Sequence, residues 1–301
     1  MLSFAGGESG NAASDSRPWQ VLKLHQRIVR SNPVVSICLG MICAVVLAQA
    51  WTGHEFLHAV GYLGGIWLSA LLTDAVTLRS PDTSKPFICR NPTRESIAAV
   101  VFTLIGFVPL VIRFSRWWPL HTGSERIGFS AVLLLFTYPV GLAVLFLARY
   151  RYRPDELGVN SRYWYLAAVV NLVMGIITLA VAPSRSHWGI FLHRAGWNGF
   201  LTEALLGAAL PEEFTRMLLQ TRLAFSLNNR AGGFLVATSI WACMHIPNFR
   251  AQSPRGAFGG ILAAVTIIPL GLLWGYITHR TRSIVPSVLI HGTNLWGLQN
   301  F

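Results

Sequence analysis

The sequence predicts an all-α protein, a polytopic bundle of about eight or nine transmembrane helices. Three observations predict it. Hydrophobic residues make up 53% of the 301 and charged residues only 12%, half the charged share of a soluble globular domain, roughly a quarter. The apolar residues come in long runs, and a run of about 20 spans a bilayer. The basic residues sit in the short segments between those runs, the arrangement that orients a membrane protein and attracts anionic lipid.

The candidate spans, in chain order, are 34–51, 56–72, 97–112, 127–148, 163–182, 198–219, 233–246, 258–277 and 284–298. The first, third, fourth and eighth carry no charged residue or histidine. The second opens just after Trp51 and His54, with Glu55 and His58 beside them. The sixth holds Glu203, Glu212, Glu213 and Arg216, the seventh His245, and the ninth His291 with Asn294. Residues 1–30 are polar and basic and read as a flexible cytoplasmic tail. Residues 31–182 read as N-terminal transmembrane helices, followed by a second unit over 183–301. Most arginines fall on the side of the N-terminus, so the expected orientation is N-terminus in and C-terminus out. The chain is expected to be an integral, multi-pass membrane protein, in a bacterium one of the cell membrane.

The net charge of +12, from 24 Lys and Arg against 12 Asp and Glu, would suggest nucleic acid in a soluble protein. Its spread over inter-span loops points to anionic lipids as partners and to no nucleic acid. Of the four cysteines, Cys38, Cys43 and Cys243 lie in apolar runs while Cys89 does not, and none forms a CxxC pair. A disulfide framework or cysteine zinc site is not expected. The four aspartates, Asp15, Asp74, Asp82 and Asp155, are expected in the tail or loops.

Ionisable residues are costly inside a bilayer, so each one is a functional candidate. In Leu210-Pro211-Glu212-Glu213-Phe214-Thr215-Arg216, Pro211 suits the first turn of a helix. The glutamates then fall where the helix dipole favours negative charge. Arg216 is four residues past Glu212 and three past Glu213, on the same face. It can hold one carboxylate ionised and leave the other free to take a proton. Trp241 and His245 share a face, and Pro247 ends that helix soon after. His291 and Asn294 share another face. Taken singly, these segments also suit a capped helix start, a structural histidine and interhelical hydrogen bonding.

Taken together and in this order, the three resemble the CAAX-protease and bacteriocin-processing family of intramembrane proteases. That family's pattern is Glu-Glu-x-x-x-Arg, then Phe-x-x-x-His, then His-x-x-x-Asn or Asp. Here Arg216 and Asn294 each come one residue early, and Trp241 stands where phenylalanine is usual. The resemblance implies that 183–301 is a protease-like catalytic core. It implies an intramembrane endopeptidase acting on a membrane-associated or lipid-modified protein or peptide. A glutamate, Glu212 or Glu213, would activate water, oriented by Arg216. His245, His291 and Asn294 would hold the water and stabilise the oxyanion. No cofactor is required by this reading, but Glu212, His245 and His291 could instead hold zinc with an open position.

Two other readings come from the same residues. His54-Glu55-Phe56-Leu57-His58 matches H-E-x-x-H, which on a helix binds zinc through both histidines with the glutamate as base. It resembles the motif of site-2 intramembrane proteases, but the chain has no Asp-Gly segment to supply their aspartate ligand. A non-catalytic transporter or scaffold is the third reading, with the polar helices lining a solute path.

Overall fold

The structure is a computed structural model, and it describes residues 17–78, 87–114, 128–130, 133, 140–181 and 196–295. Among these residues there are helices and no strands. We number them α1 (Arg17–Ser31), α2 (Pro33–Thr52), α3 (Phe56–Thr77), α4 (Pro92–Phe114), α5 (Val140–Arg149), α6 (Leu166–Val181), α7 (Leu210–Ser226), α8 (Arg230–Met244), α9 (Ile246–Gln252), α10 (Gly256–Thr281) and α11 (Val285–Leu295). A π-helical segment, Gly199–Ala209, leads directly into α7.

Local chemistry sets the ends. Proline occupies the first turn of α2, α7 and α9, where its missing N–H costs nothing. Asn91 precedes Pro92 and accepts the Arg94 N–H. Asn229 caps α8 by accepting from Gly232 N–H at 2.8 Å. The α10 helix stops at Arg282, in the left-handed region at φ 53°.

Four helices are long and apolar enough to cross a membrane: α2, α3, α4 and α10. Shorter apolar helices are α5 and α6. Their outer faces are apolar; Val34, Ile37, Leu104 and Leu172 are all exposed. An exterior of this kind suits lipid. Inside, Val170, Met174, Trp241, Trp274, Ile277 and Ile290 form one core between α6, α8, α10 and α11. Gly61 and Gly65 bring α3 onto α6, where a Cβ at either would strike Val181 or Met174. Small residues four apart are how helices approach closely in lipid.

The helix ends depart from expectation in informative ways. The second span runs on to Thr77, which places Asp74 inside α3 and fully buried rather than in a loop. It is held there by His25 at 2.6 Å and the Tyr276 hydroxyl at 2.6 Å, and paired with the Arg280 guanidinium. The third span begins early, at Pro92, and takes in Glu95. This buried carboxylate accepts from Arg222 Nε at 3.2 Å, from the Tyr152 hydroxyl and from the Arg90 and Asn91 N–H groups. Burial pushes the Tyr152 hydroxyl and the Cys89 thiol up to about 12, so both keep the protons they donate to Glu95. Both carboxylates were invisible as membrane-interior charges because their partners are distant in sequence. Part of the expected flexible tail is also ordered, as α1. The tail before it, 127, 131–132, 134–139 and 296–298 lie outside the described residues.

These pairs sort the helix ends. Arg280, Asp74 and His25 bring together the ends of α10 and α3 and the middle of α1. Glu95, Tyr152 and Arg222 gather the start of α4, the chain after α5 and the end of α7. Phe234, early in α8, meets His279, late in α10. Ile284, before α11, donates to Gly158. One end of the bundle therefore collects most of the arginines described.

Candidate active site

The site is built by α7, α8, α10 and α11. Glu212 and Glu213 open α7, Trp241 is in the last turn of α8, His245 follows it, and His291 lies midway along α11. The chain turns at His245 into α9, so α8 stops there as the proline predicts.

The two glutamates have different surroundings. Glu213 is buried, accepts from Arg216 through Oε2, and meets His291 Nδ1 at 3.0 Å through Oε1. Arg216, also buried, donates its other terminal nitrogen to the Gly271 carbonyl. Its guanidinium lies 5.9 and 5.8 Å from the rings of Trp241 and Trp274. Glu212 is 19% exposed. Its Oε2 accepts the Trp241 indole N–H at 2.7 Å and lies 3.7 Å from Nε2 of both His245 and His291. Arg216 is thus paired with the second glutamate, three residues away, and the first is left facing two imidazoles.

The tautomers follow from the partners. His245 Nδ1 faces the Trp241 carbonyl at 3.0 Å, which can only accept, so Nδ1 carries a proton. His291 Nδ1 faces a carboxylate, so it too is protonated. In the neutral rings both Nε2 atoms are then acceptors, turned toward a carboxylate that is also an acceptor. Such a triangle needs a donor: a water molecule or an added proton on one ring. His245 is 25% exposed and Glu212 19%, against 2% for His291, so solvent reaches the triangle from the His245 side.

Sequence reading missed three contributors. Trp274 stacks on His291, with ring centroids 3.8 Å apart and planes 19° from parallel. Gly271 supplies the carbonyl that receives Arg216, and Gly275 supplies one to Gln220 at 3.2 Å. Gly271-Leu-Leu-Trp-Gly275 is a small-xxx-small pattern, a signal that was there to find. A Cβ at Gly275 would sit 2.5 Å from Gln220 Oε1 and 2.9 Å from Arg216 Nη1. Those side chains are held by hydrogen bonds and cannot simply swing away. Gly275→Ala is expected to cost about 1–3 kcal/mol of stability, read as a lower midpoint in denaturant.

Two sets of expected residues are not brought in. Asn294 is half-buried on α11 and makes no hydrogen bond to the cluster. The H-E-x-x-H string does not form on one helix. His54 and Glu55 lie in the turn before α3, with His54 exposed and at φ 59°, while Phe56, Leu57 and His58 are helical. The two histidines therefore do not share a helix face. Among the described residues, no three His, Cys, Asp or Glu side chains are grouped so as to hold a metal ion. This holds for Glu212, His245 and His291 as for His54 and His58.

An apolar-surfaced helical bundle with carboxylates, imidazoles and a guanidinium converging in its interior defines a membrane protein with a cluster of ionisable side chains between its helices. Residues 194–296 match the family model described as type II CAAX prenyl endopeptidase Rce1-like, and this segment is a CAAX-protease-family domain. The family is one of proteases, and the match takes in every residue of the converging cluster while covering about a third of the chain. No curated protein and no solved structure matches the chain.

Proposed function

We propose that the protein is an intramembrane endopeptidase that cleaves a membrane-associated, prenylated peptide, with Glu212 as the base. The observation that carries this is the placing of Glu212 Oε2 at 3.7 Å from Nε2 of both histidines, in the one part of the cluster that solvent reaches. A water molecule held by Glu212 loses a proton to it and attacks the peptide carbonyl carbon. A protonated His245 donates its Nε2–H to the oxyanion that forms. As the C–N bond breaks, Glu212 returns the proton to the leaving amine. Glu213 is not the base in this scheme. With Arg216 it fixes the His291 ring, and Trp274 covers that ring's face. Trp241 donates a hydrogen bond to Glu212 that the family's usual phenylalanine lacks. Asn294 has no part in it, and no step passes through a metal.

The bundle is proposed to cross the membrane several times, with 31–182 as a supporting set of helices and 183–301 as the catalytic unit. Its arginine-rich end faces the cytoplasm by the positive-inside rule. Glu212 lies about 20 Å along α7 from Ser226 at that end, within the hydrocarbon zone.

The test is hydrolysis by the purified, reconstituted protein of synthetic peptides ending in a C-a-a-X sequence, with and without a prenyl group. Release of the C-terminal fragment from the prenylated peptide alone is expected. Cleavage of neither peptide would remove the proposal. Changing His54 and His58 together to Ala is expected to leave that rate within a factor of about two, because neither approaches Glu212. A loss as deep as that of a base variant, accompanied by loss of bound zinc, would restore the site-2 reading.

A further inference from the structure

The α1 helix has three sides. At 100° per residue, Val21, Leu24 and His25 face inward, and all three are partly or fully buried. His25 is tied to Asp74 of α3 at 2.6 Å. Beside this strip lie Leu22 and Val29, with Trp19 beyond them, and all are exposed: 37%, 56% and 54%. The remaining side carries Lys23, Arg27 and Arg30, and the helix contains no acidic residue. Arg27 and Arg30 are exposed, and among the described residues no ion pair involves either one. The helix ends at Ser31, and α2, long and apolar enough to cross a membrane, begins at Pro33. The Ser36 hydroxyl donates to the Val29 carbonyl across the junction, which sets the angle between the two helices.

An apolar cavity of about 310 Å³ lies between α1 and α3, lined among others by Val21, Leu22, Leu71, Leu72, Ala75 and Leu78. It touches none of the helices carrying Glu212, His245 or His291, so it is not the reaction cleft. Its size is at the low end of small-ligand pockets, which run from roughly 300 Å³.

We propose that α1 and this cavity form a binding site for an anionic phospholipid of the surrounding bilayer. One acyl chain enters the cavity between α1 and α3. The phosphate is held by the basic side, chiefly by Arg27 and Arg30, whose guanidinium groups match phosphate geometry. Trp19, Leu22 and Val29 lie in the boundary between headgroups and chains, as amphipathic basic helices do. Asp74, held by Tyr276 and Arg280 of α10, ties this helix to the one whose Gly271 carbonyl receives Arg216. The proposal rests on the bundle being embedded in a membrane and not on its being a protease.

The test uses the full chain in nanodiscs of phosphatidylcholine, with or without phosphatidylglycerol. Retained lipid is read by native mass spectrometry, and stability by the thermal midpoint. The wild type is expected to retain phosphatidylglycerol preferentially. Its midpoint should rise with that lipid, less so at high salt. The double change Arg27→Gln and Arg30→Gln should lower the preference roughly 25-fold, at roughly fivefold per basic residue near the surface. Ala75→Trp, which fills the cavity, should lower retention of lipid while keeping the salt dependence. Equal retention of both lipids by the wild type would overturn the proposal, and this needs no variant to fold. So would an unchanged preference in the double variant. Stabilisation by inorganic phosphate equal to that by phosphatidylglycerol would show an anion site rather than a lipid site. Peptide hydrolysis measured on the same samples separates failure of this proposal from failure of the protease reading.

Discussion

Glu212→Gln is expected to lower peptide hydrolysis at least about a hundredfold, the usual scale for losing a general base, while leaving the folded protein intact. The substitution keeps the side chain's shape. It also keeps an oxygen that can accept the Trp241 indole N–H, now 2.7 Å from Oε2. What it removes is the negative charge and the basicity facing His245 and His291. Glu212 has no arginine partner; its neighbours are a neutral indole and two imidazoles at 3.7 Å. No buried cation is left stranded when its charge goes. The thermal midpoint of Glu212→Gln should therefore stay within a few degrees of the wild type. Rate and midpoint are measured on one preparation. Full activity in this variant would end the assignment of Glu212 as base.

Much of this site was legible in the sequence because it is local. Glu212, Glu213 and Arg216 sit on successive turns of one helix, and spacing alone puts them on a common face. The end of α8 at His245 followed from Pro247. Which glutamate Arg216 holds did not follow, because the spacings of three and four residues are both reachable. The choice is made by α10. The Gly271 carbonyl accepts from one end of the guanidinium, and His291 from α11 donates to Glu213. Those contacts bridge segments far apart in the chain. The π-helical turns over Gly199–Ala209 were equally out of reach, since a period of 3.6 cannot register them. They matter to the site, because Gly292 packs against Leu205 there, beside His291. Asp74 and Glu95 show the same limit from the other direction. Each falls just outside an expected span, 56–72 or 97–112, and each is paired with an arginine far along the chain.

Glu213→Gln should behave in the opposite way, losing stability first. Its carboxylate is paired with Arg216, and both side chains are almost wholly buried. Removing one partner of a buried ion pair leaves the other charge without compensation, at a cost of about 3–5 kcal/mol. The Gly271 carbonyl still accepts from Arg216, but a neutral carbonyl does not balance the charge. His291 loses its charged partner as well, so its ring is less firmly held and hydrolysis falls with stability. Removing both charges, as Glu213→Leu with Arg216→Met, should recover most of the stability, since well-packed apolar groups often replace a buried pair at little cost. It should not recover activity, because His291 Nδ1 would then have no acceptor. Equilibrium unfolding of the two single variants and the double gives the coupling energy directly. A coupling near zero, or a Glu213→Gln protein as stable as the wild type, would mean that Arg216 is satisfied by α10 alone. Loss of rate alone at Glu212, against loss of stability together with rate at Glu213, is what separate roles for the two adjacent glutamates require.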